Sequence, residues 1–213
     1  MSPTDTQGQE KRDGKFRIRV LVYDGADEVD FTAPIEVFGY VASQRSDVDV
    51  ALVSLEPKAT VTGAFGLKVV PDGVYESPPN LLIVPGGGWV SHSPRGVRAE
   101  IARGKLLDII RSAHANGSIV ASACTGAMAL AAAGLLDGKL ATTHNGALAD
   151  LRRTKAKVVA ARVVDDGTIL TGGGVTSTFD LALWITERLW GRELAQRASA
   201  YLEYPLPTNV VHG

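Results

Sequence analysis

Residues 16–23 (FRIRVLVY) alternate polar and apolar side chains and then become wholly apolar, which predicts a strand entering the middle of a sheet. Asp24-Gly25 opens a loop, and Pro34 fits the first turn of a helix running to about Gln44. Residues 48–55 (VDVALVSL) alternate again as a strand, and the Gly-, Pro- and Thr-rich stretch 58–79 holds a short strand or hairpin around 67–70. A brief apolar run, 80–84 (NLLIV), stops at Pro85-Gly86-Gly87-Gly88, and 97–116 carries one helical period closed by Asn116-Gly117. Farther on, 138–143 offers a short strand and 145–152 a helix. Residues 158–164 read as a strand, Asp165-Asp166-Gly167 as a hairpin turn and 168–170 as its returning arm. A long apolar helix over 175–190, a short amphipathic one over 193–202 and a Pro-broken tail complete the pattern. Apolar strands alternating with helices predict an α/β fold with a mainly parallel sheet.

The pattern breaks most abruptly at 118–126. Ile119 and Val120 read as buried strand, while 126–134 (GAMALAAAG) reads as a helix of small residues. Cys124, the single cysteine, falls on the turn between them. Unpaired amides and the dipole at a helix N-terminus favour negative charge, so this turn is expected to favour a thiolate. The competing reading is a structural cysteine, because unpaired Cys is among the most buried residue types. The stretch 118–136 has no charged residue and is long enough to raise a transmembrane helix. Its two glycines, two serines, threonine and many alanines make it weakly hydropathic, and no aromatic or basic anchors flank it. A strand-turn-helix in a soluble core is therefore expected, with no membrane partner.

Composition narrows the function classes. With 213 residues, 45% of them hydrophobic and 21% charged, residues 16–213 are expected to form one domain behind a disordered polar tail at 1–15. The 22 basic and 23 acidic side chains nearly cancel, and no basic stripe carries interleaved aromatics, which argues against nucleic acid. A lone cysteine excludes an internal disulfide, and no signal or transit peptide is visible, so a reducing cytoplasm is the expected location. No histidine pair has metal-ligand spacing, and one cysteine cannot build a thiolate zinc cluster, so neither metal nor cofactor is expected. In open parallel sheets functional groups gather at the carboxyl ends of strands. Four segments follow predicted strands here: 24–32, 85–88, Cys124-Thr125 and His144-Asn145.

The segments LVYDGADEVDFTAPIEVF, LLIVPGGG, SACTGAMALAAAGLLDGKLATTH and ILTGGGVTSTFDLAL, with a tail ending in LEYPLP, resemble the DJ-1/PfpI superfamily, and within it most the isocyanide hydratases. The likeness spans about Phe16 to Pro207 in the expected order. It implies a flavodoxin-like three-layer sandwich, a homodimer, and a cysteine on a strained elbow contacted by an acid from the loop after the first strand. By motif, the cysteine is Cys124, the acid is Asp30 in VDFTAP, and the adjacent hydroxyl is Thr125. The resemblance further implies that the amides of Gly87 and Thr125 form an anion pocket, with Gly86 beside them.

Each residue has a plainer reading. Asp30 could cap the following helix, as could Thr32. Glycines 86–88 could be an ordinary strand-to-loop turn, where the functional reading is close backbone approach to an anion. Glycines 172–174 read as close packing beside the site, since nothing matches a phosphate fingerprint. His144 and Asn145 are expected in the wall of the substrate pocket, although a lone histidine after a strand reads first as a hydrogen-bonded structural residue. Asn145-Gly146 depart from the aromatic that usually follows this histidine in hydratase-like sequences. Protease-like members carry a histidine directly after the cysteine. Threonine there cannot act as a general base near neutral pH, which counts against peptidase activity. The resemblance therefore implies cofactor-free hydration of isocyanides to formamides through Cys124, Asp30 and Thr125. Two alternatives remain open: glyoxalase-like aldehyde chemistry, and a redox-sensing or ligand-binding domain. Related domains open AraC-type transcription regulators, whose additional helix-turn-helix segment this chain is expected to lack. Trp184, Trp190 and Tyr204 are candidate exposed aromatics for a dimer interface.

Overall fold

The computed structural model describes residues 14–213, so of the tail expected at 1–15 all but Gly14 and Lys15 lies outside the described residues. In chain order the elements are β1 (Phe16–Val22), α1 (Glu28–Gln44), β2 (Val48–Ser54), β3 (Val61–Thr62), β4 (Lys68–Val69), β5 (Gly73–Val74) and β6 (Leu81–Val84). Then come α2 (Val97–Arg103), α3 (Lys105–Ala115), β7 (Ile119–Ser122), α4 (Ala127–Ala132), β8 (Leu140–Ala141), α5 (Leu148–Leu151) and β9 (Lys157–Val158). The last are β10 (Val163–Asp166), β11 (Ile169–Gly172), α6 (Ser177–Trp190), α7 (Arg192–Tyr201) and β12 (Val210–His212).

The main sheet has the order β12-β10-β11-β7-β6-β1-β2-β5, and only the β10–β11 hairpin is antiparallel. β1 pairs with β2 along its whole length, Phe16↔Val48 to Val22↔Ser54. The change along β1 from alternation to a continuous apolar run has a direct cause: Leu21, Val22 and the whole of β6 are buried on both faces. Helices α1, α6 and α7 pack together, as do α2, α3 and α4. The result is a flavodoxin-like α/β sandwich. Phe31 and Phe38 anchor α1 with no exposed surface, each contributing on the order of 2 kcal/mol by burial. Among the described residues no helix is long and apolar enough to cross a membrane.

Four features differ from the pattern-based expectations. The first helix begins at Glu28, because Asp27 caps it by accepting the Val29 N–H at 3.3 Å. Pro34 is thus inside the helix rather than in its first turn, and Asp30 lies on the helix rather than in the preceding loop. The single helix expected over 97–116 is two, divided at Gly104, whose φ of +86° ends α2. The strand expected over 158–164 is shared between two sheets, with β9 pairing β8 and β10 pairing β11. The three aromatics expected on the surface are half-buried and used internally. Trp184 Nε1 donates to Asp165 at 2.8 Å, Trp190 meets Phe16 edge-on, and Tyr204 stacks on Phe179.

Candidate active site

β7 delivers the chain to Cys124 with φ at +52°, a left-handed conformation that costs a non-glycine residue roughly 1–3 kcal/mol. Both of its backbone polar groups are tied: the N–H donates to the Gly173 carbonyl at 2.9 Å, and the carbonyl accepts from Thr143 Oγ1 at 2.9 Å. A short 3-10 turn over Cys124–Gly126 then leads into α4. Cys124 is 4% exposed, and the amides of Val175 and Thr125 lie beside its sulfur, where they favour negative charge. Val175 is itself left-handed, with φ at +30°. Glycines 172–174 do sit beside the site, as expected, since Gly173 receives the Cys124 N–H.

Asp30 is fully buried in the first turn of α1. Its carboxyl accepts from Gly86 N–H at 2.9 Å and from Thr178 Oγ1 at 3.2 Å, and it hydrogen-bonds the Cys124 thiol. It is not the helix cap, and neither is Thr32, which donates to the Glu28 carbonyl. Close approach explains Gly86: a Cβ there would lie 2.5 Å from both the amide nitrogen and the hydroxyl of Thr125. Tyr23 braces the same loop by donating its hydroxyl to the Pro85 carbonyl.

Burial pushes Asp30 up to about 8, the Asp27 charge pushes the same way, and its three hydrogen bonds only partly oppose them. At pH 7 this carboxyl is therefore mostly protonated. Burial, and then the Asp30 charge, also push the Cys124 thiol far above its ordinary value, against the Val175 and Thr125 amides. The expected standing thiolate is corrected on this point. α4 has only six residues behind a 3-10 turn, and desolvation outweighs what its end can offer. The site holds a thiol and a carboxyl in contact, with no cation paired to Asp30 among the described residues.

The sulfur opens on a cavity of about 450 Å³, whose walls include Phe65, Trp89, Val90, Arg95 and His144. Trp89 is fixed by its Nε1 bond to Asp150 at 2.8 Å and by the Arg98 guanidinium, 4.0 Å from its ring. Thr125 and Gly87 line the cavity as expected, but the Gly87 N–H donates to Thr125 Oγ1 at 2.9 Å. The anion pocket implied by the Gly87 and Thr125 amides is therefore revised: the amides that reach sulfur are those of Thr125 and Val175. His144 also lines the cavity. Its Nδ1 accepts the Gly146 N–H at 3.0 Å, which assigns the proton of the neutral ring to Nε2. Asn145 departs from expectation. It is exposed and faces a separate surface hollow with Thr142 and Arg162, because the 3-10 turn that starts there carries it away from sulfur. Val175 and Thr178 were missed, and their only signal was position, just after the glycine run at the end of β11. Among the described residues no three His, Cys, Asp or Glu side chains converge to hold a metal.

Comparison with known proteins agrees with this architecture. Over 196 residues the chain is 38% identical to isonitrile hydratase of Pseudomonas putida, covering 90% of this chain and 80% of that relative. Protein DJ-1alpha of Drosophila melanogaster is 28% identical over 185 residues, covering 84% and 80% respectively. The crystal structure of a THiJ/PfpI family protein from Pseudomonas syringae superposes with a TM-score of 0.78 at 28% identity, over 97% of this chain and 84% of the other. Residues 16–188 match the DJ-1/PfpI family as a whole, from the start of β1 into α6, and the chain belongs to that family.

Proposed function

We propose that this protein hydrates isocyanides to N-substituted formamides, with Cys124 as nucleophile and Asp30 as proton carrier. The observation that carries the reading is the buried thiol–carboxyl pair, with the carboxyl near 8, opening on a cavity walled by Phe65, Trp89 and Val90. An isocyanide carbon accepts a nucleophile and then needs a proton on the same atom. A thiol and a carboxyl that exchange one proton supply both. A proton carrier works best when its pKa lies near the working pH, and Asp30 meets that condition. The similarity to an isonitrile hydratase supports the same substrate class.

In the first step Asp30, in the ionised form that is the minor one at neutral pH, takes the thiol proton as sulfur bonds to the isocyanide carbon. The proton then passes from Asp30 to that carbon, which leaves a neutral thioimidate, R–N=CH–S–Cys124. In the second step Asp30 takes a proton from water as the water oxygen adds to the same carbon, and hands it to nitrogen. The C–S bond then breaks, the formyl C=O forms, and the hydroxyl proton returns through Asp30 to sulfur. One water is consumed and R–NH–CHO is released. Covalent capture splits one hard hydration into two easier additions. The Val175 and Thr125 amides stabilise charge on sulfur as it attacks and leaves, and Nε2–H of His144 offers a donor to the formyl oxygen. Thr125 Oγ1 holds the Gly87 loop in place.

Incubation of the purified protein with an aromatic isocyanide, followed by chromatographic detection of the formamide, tests the reading. Formamide is expected from the wild type and not from Cys124→Ala. Absence of product, or equal turnover by the variant, rejects it. A homodimer belongs to the same proposal: Tyr201, 60% exposed and stacked on Tyr40, offers an apolar face for it, and sedimentation measures the mass.

A further inference from the structure

The LEYPLP segment has no part in the chemistry above, yet its tyrosine reaches toward the sulfur through a continuous set of contacts. α7 ends at Tyr201, and Glu203 takes a left-handed turn with φ at +49°. Tyr204 is pinned there from both sides: its N–H donates to the Ser199 carbonyl at 3.1 Å, and its carbonyl accepts from Ser199 Oγ at 2.6 Å. Its ring stacks on Phe179 with centroids 5.2 Å apart. Its hydroxyl accepts from Arg162 Nη2 at 3.0 Å and donates to Asp180 Oδ2 at 2.8 Å, with the Thr176 carbonyl a second acceptor at 3.5 Å.

Arg162 completes the cluster. Its Nε and Nη2 both reach Asp180 Oδ2, at 3.1 and 2.5 Å, and Nη2 also donates to Thr176 Oγ1 at 3.3 Å. The Arg162 carbonyl accepts the Gly173 N–H at 2.9 Å, and the Gly173 carbonyl in turn accepts the Cys124 N–H. Thr176 is thus contacted at its side chain and its carbonyl. Its neighbour Val175 is a β-branched residue at positive φ, a conformation that persists only when its surroundings over-determine it. Val175 also lines the cavity together with Cys124, and its amide favours charge on the sulfur.

We infer that Arg162, Asp180 and Tyr204 form a clamp on Thr176 that holds the strained Val175 amide against the Cys124 sulfur. They are positioning residues, not catalytic ones, because none touches the thiol. The inference rests on the reactivity of Cys124 alone, so its test needs no isocyanide. Loss of the clamp weakens the amide's support of the thiolate and slows attack by sulfur. General loosening of the fold does the opposite, because it exposes a buried thiol. The sign of the effect therefore separates the two.

The experiment measures the rate of iodoacetamide alkylation of Cys124 across pH 6 to 9, for wild type, Tyr204→Phe, Arg162→Gln, Arg162→Lys and Trp184→Phe. Tyr204→Phe removes one oxygen from a half-buried ring, so it keeps the test open even if an arginine variant fails to fold. The expected result is a rate–pH profile displaced upward by about one unit in Tyr204→Phe, which is about tenfold slower alkylation at pH 7. Arg162→Gln should match or exceed that loss, and Arg162→Lys should recover part of it. Trp184→Phe, on the same helix as Asp180 but bonded to Asp165 of β10, should leave the profile in place or raise the rate. An unchanged or faster rate in Tyr204→Phe, or an equal slowing in Trp184→Phe, overturns the inference.

Discussion

Two cavities of about 450 Å³ each open near the carboxyl end of β1, and they differ in how their charges are settled. The first is lined by three acids and three bases that pair off: Lys58 with Asp24, Arg103 with Glu100 at 2.5 Å, and Lys105 with Glu56 at 3.6 Å. Glu100 shows the effect. Burial raises its carboxyl, and the Arg103 charge offsets part of that rise. At the second cavity the buried carboxyl behind the sulfur pairs with no cation among the described residues and holds a proton instead. Equal volumes thus carry unequal chemistry. A salt bridge fixes a charge, whereas a proton held near neutral pH can be passed on.

The comparison breaks most sharply at Cys124. Cys124→Ala should lower isocyanide turnover by at least about a thousandfold, as expected when a covalent nucleophile is lost, while Lys58→Ala should leave turnover within about twofold. Formamide release under saturating substrate measures both.

Asp30→Asn should cut turnover by about a hundredfold, the usual scale for a proton-transfer group. It should also change how stability depends on pH. The unfolded carboxyl titrates near its ordinary value of 3.8 and the folded one near 8. Between those values the folded chain keeps a proton the unfolded chain has lost, so wild-type stability falls as pH rises through that window. The total loss is on the order of 5 kcal/mol. Urea denaturation from pH 4.5 to 8.5 should show this slope in the wild type and a flatter one in Asp30→Asn. A wild type equally stable at both ends would mean that Asp30 is ionised throughout.

Gly86→Ala tests the close approach that joins Asp30 to the elbow. Its Cβ would press on Thr125, and a cost of roughly 1–3 kcal/mol is expected in thermal or urea melts. The smallest effect belongs to the paired cavity. Lys58 is exposed, and exposed pairs are worth about 0.2–1 kcal/mol, so Lys58→Ala should shift a melt only slightly.

The site was legible in sequence where chemistry follows a strand end. The apolar runs before them placed Cys124 after β7 and Gly86 after β6. The choice of a reactive thiol over a structural one, and of an anion pocket over an ordinary turn, came from the resemblance. Asp30 was legible as a partner only through its motif. Its position was misjudged because Asp27 and Asp30 are both plausible caps, and only the structure shows which one receives an amide. Asn145 was misjudged for a related reason, since adjacent residues on a tight turn point different ways and sequence cannot choose between them. Val175 was not legible at all, because its contribution is a backbone amide that any residue type carries. The thiol's protonation was misjudged because a helix end is visible in a pattern of residues, whereas desolvation depends on everything packed around it.

The match to the family stops at residue 188, yet Tyr204 and the strand at 210–212 lie beyond it, and the strand is hydrogen-bonded to β10. A fragment trimmed to the matched region would keep the sulfur, the carboxyl and nearly all of the sheet while discarding the ring that sits against Arg162 and Asp180. Such a shortened chain would also lose Leu194 and Ala198 from the core, so expression boundaries for this protein should run past its final β-strand.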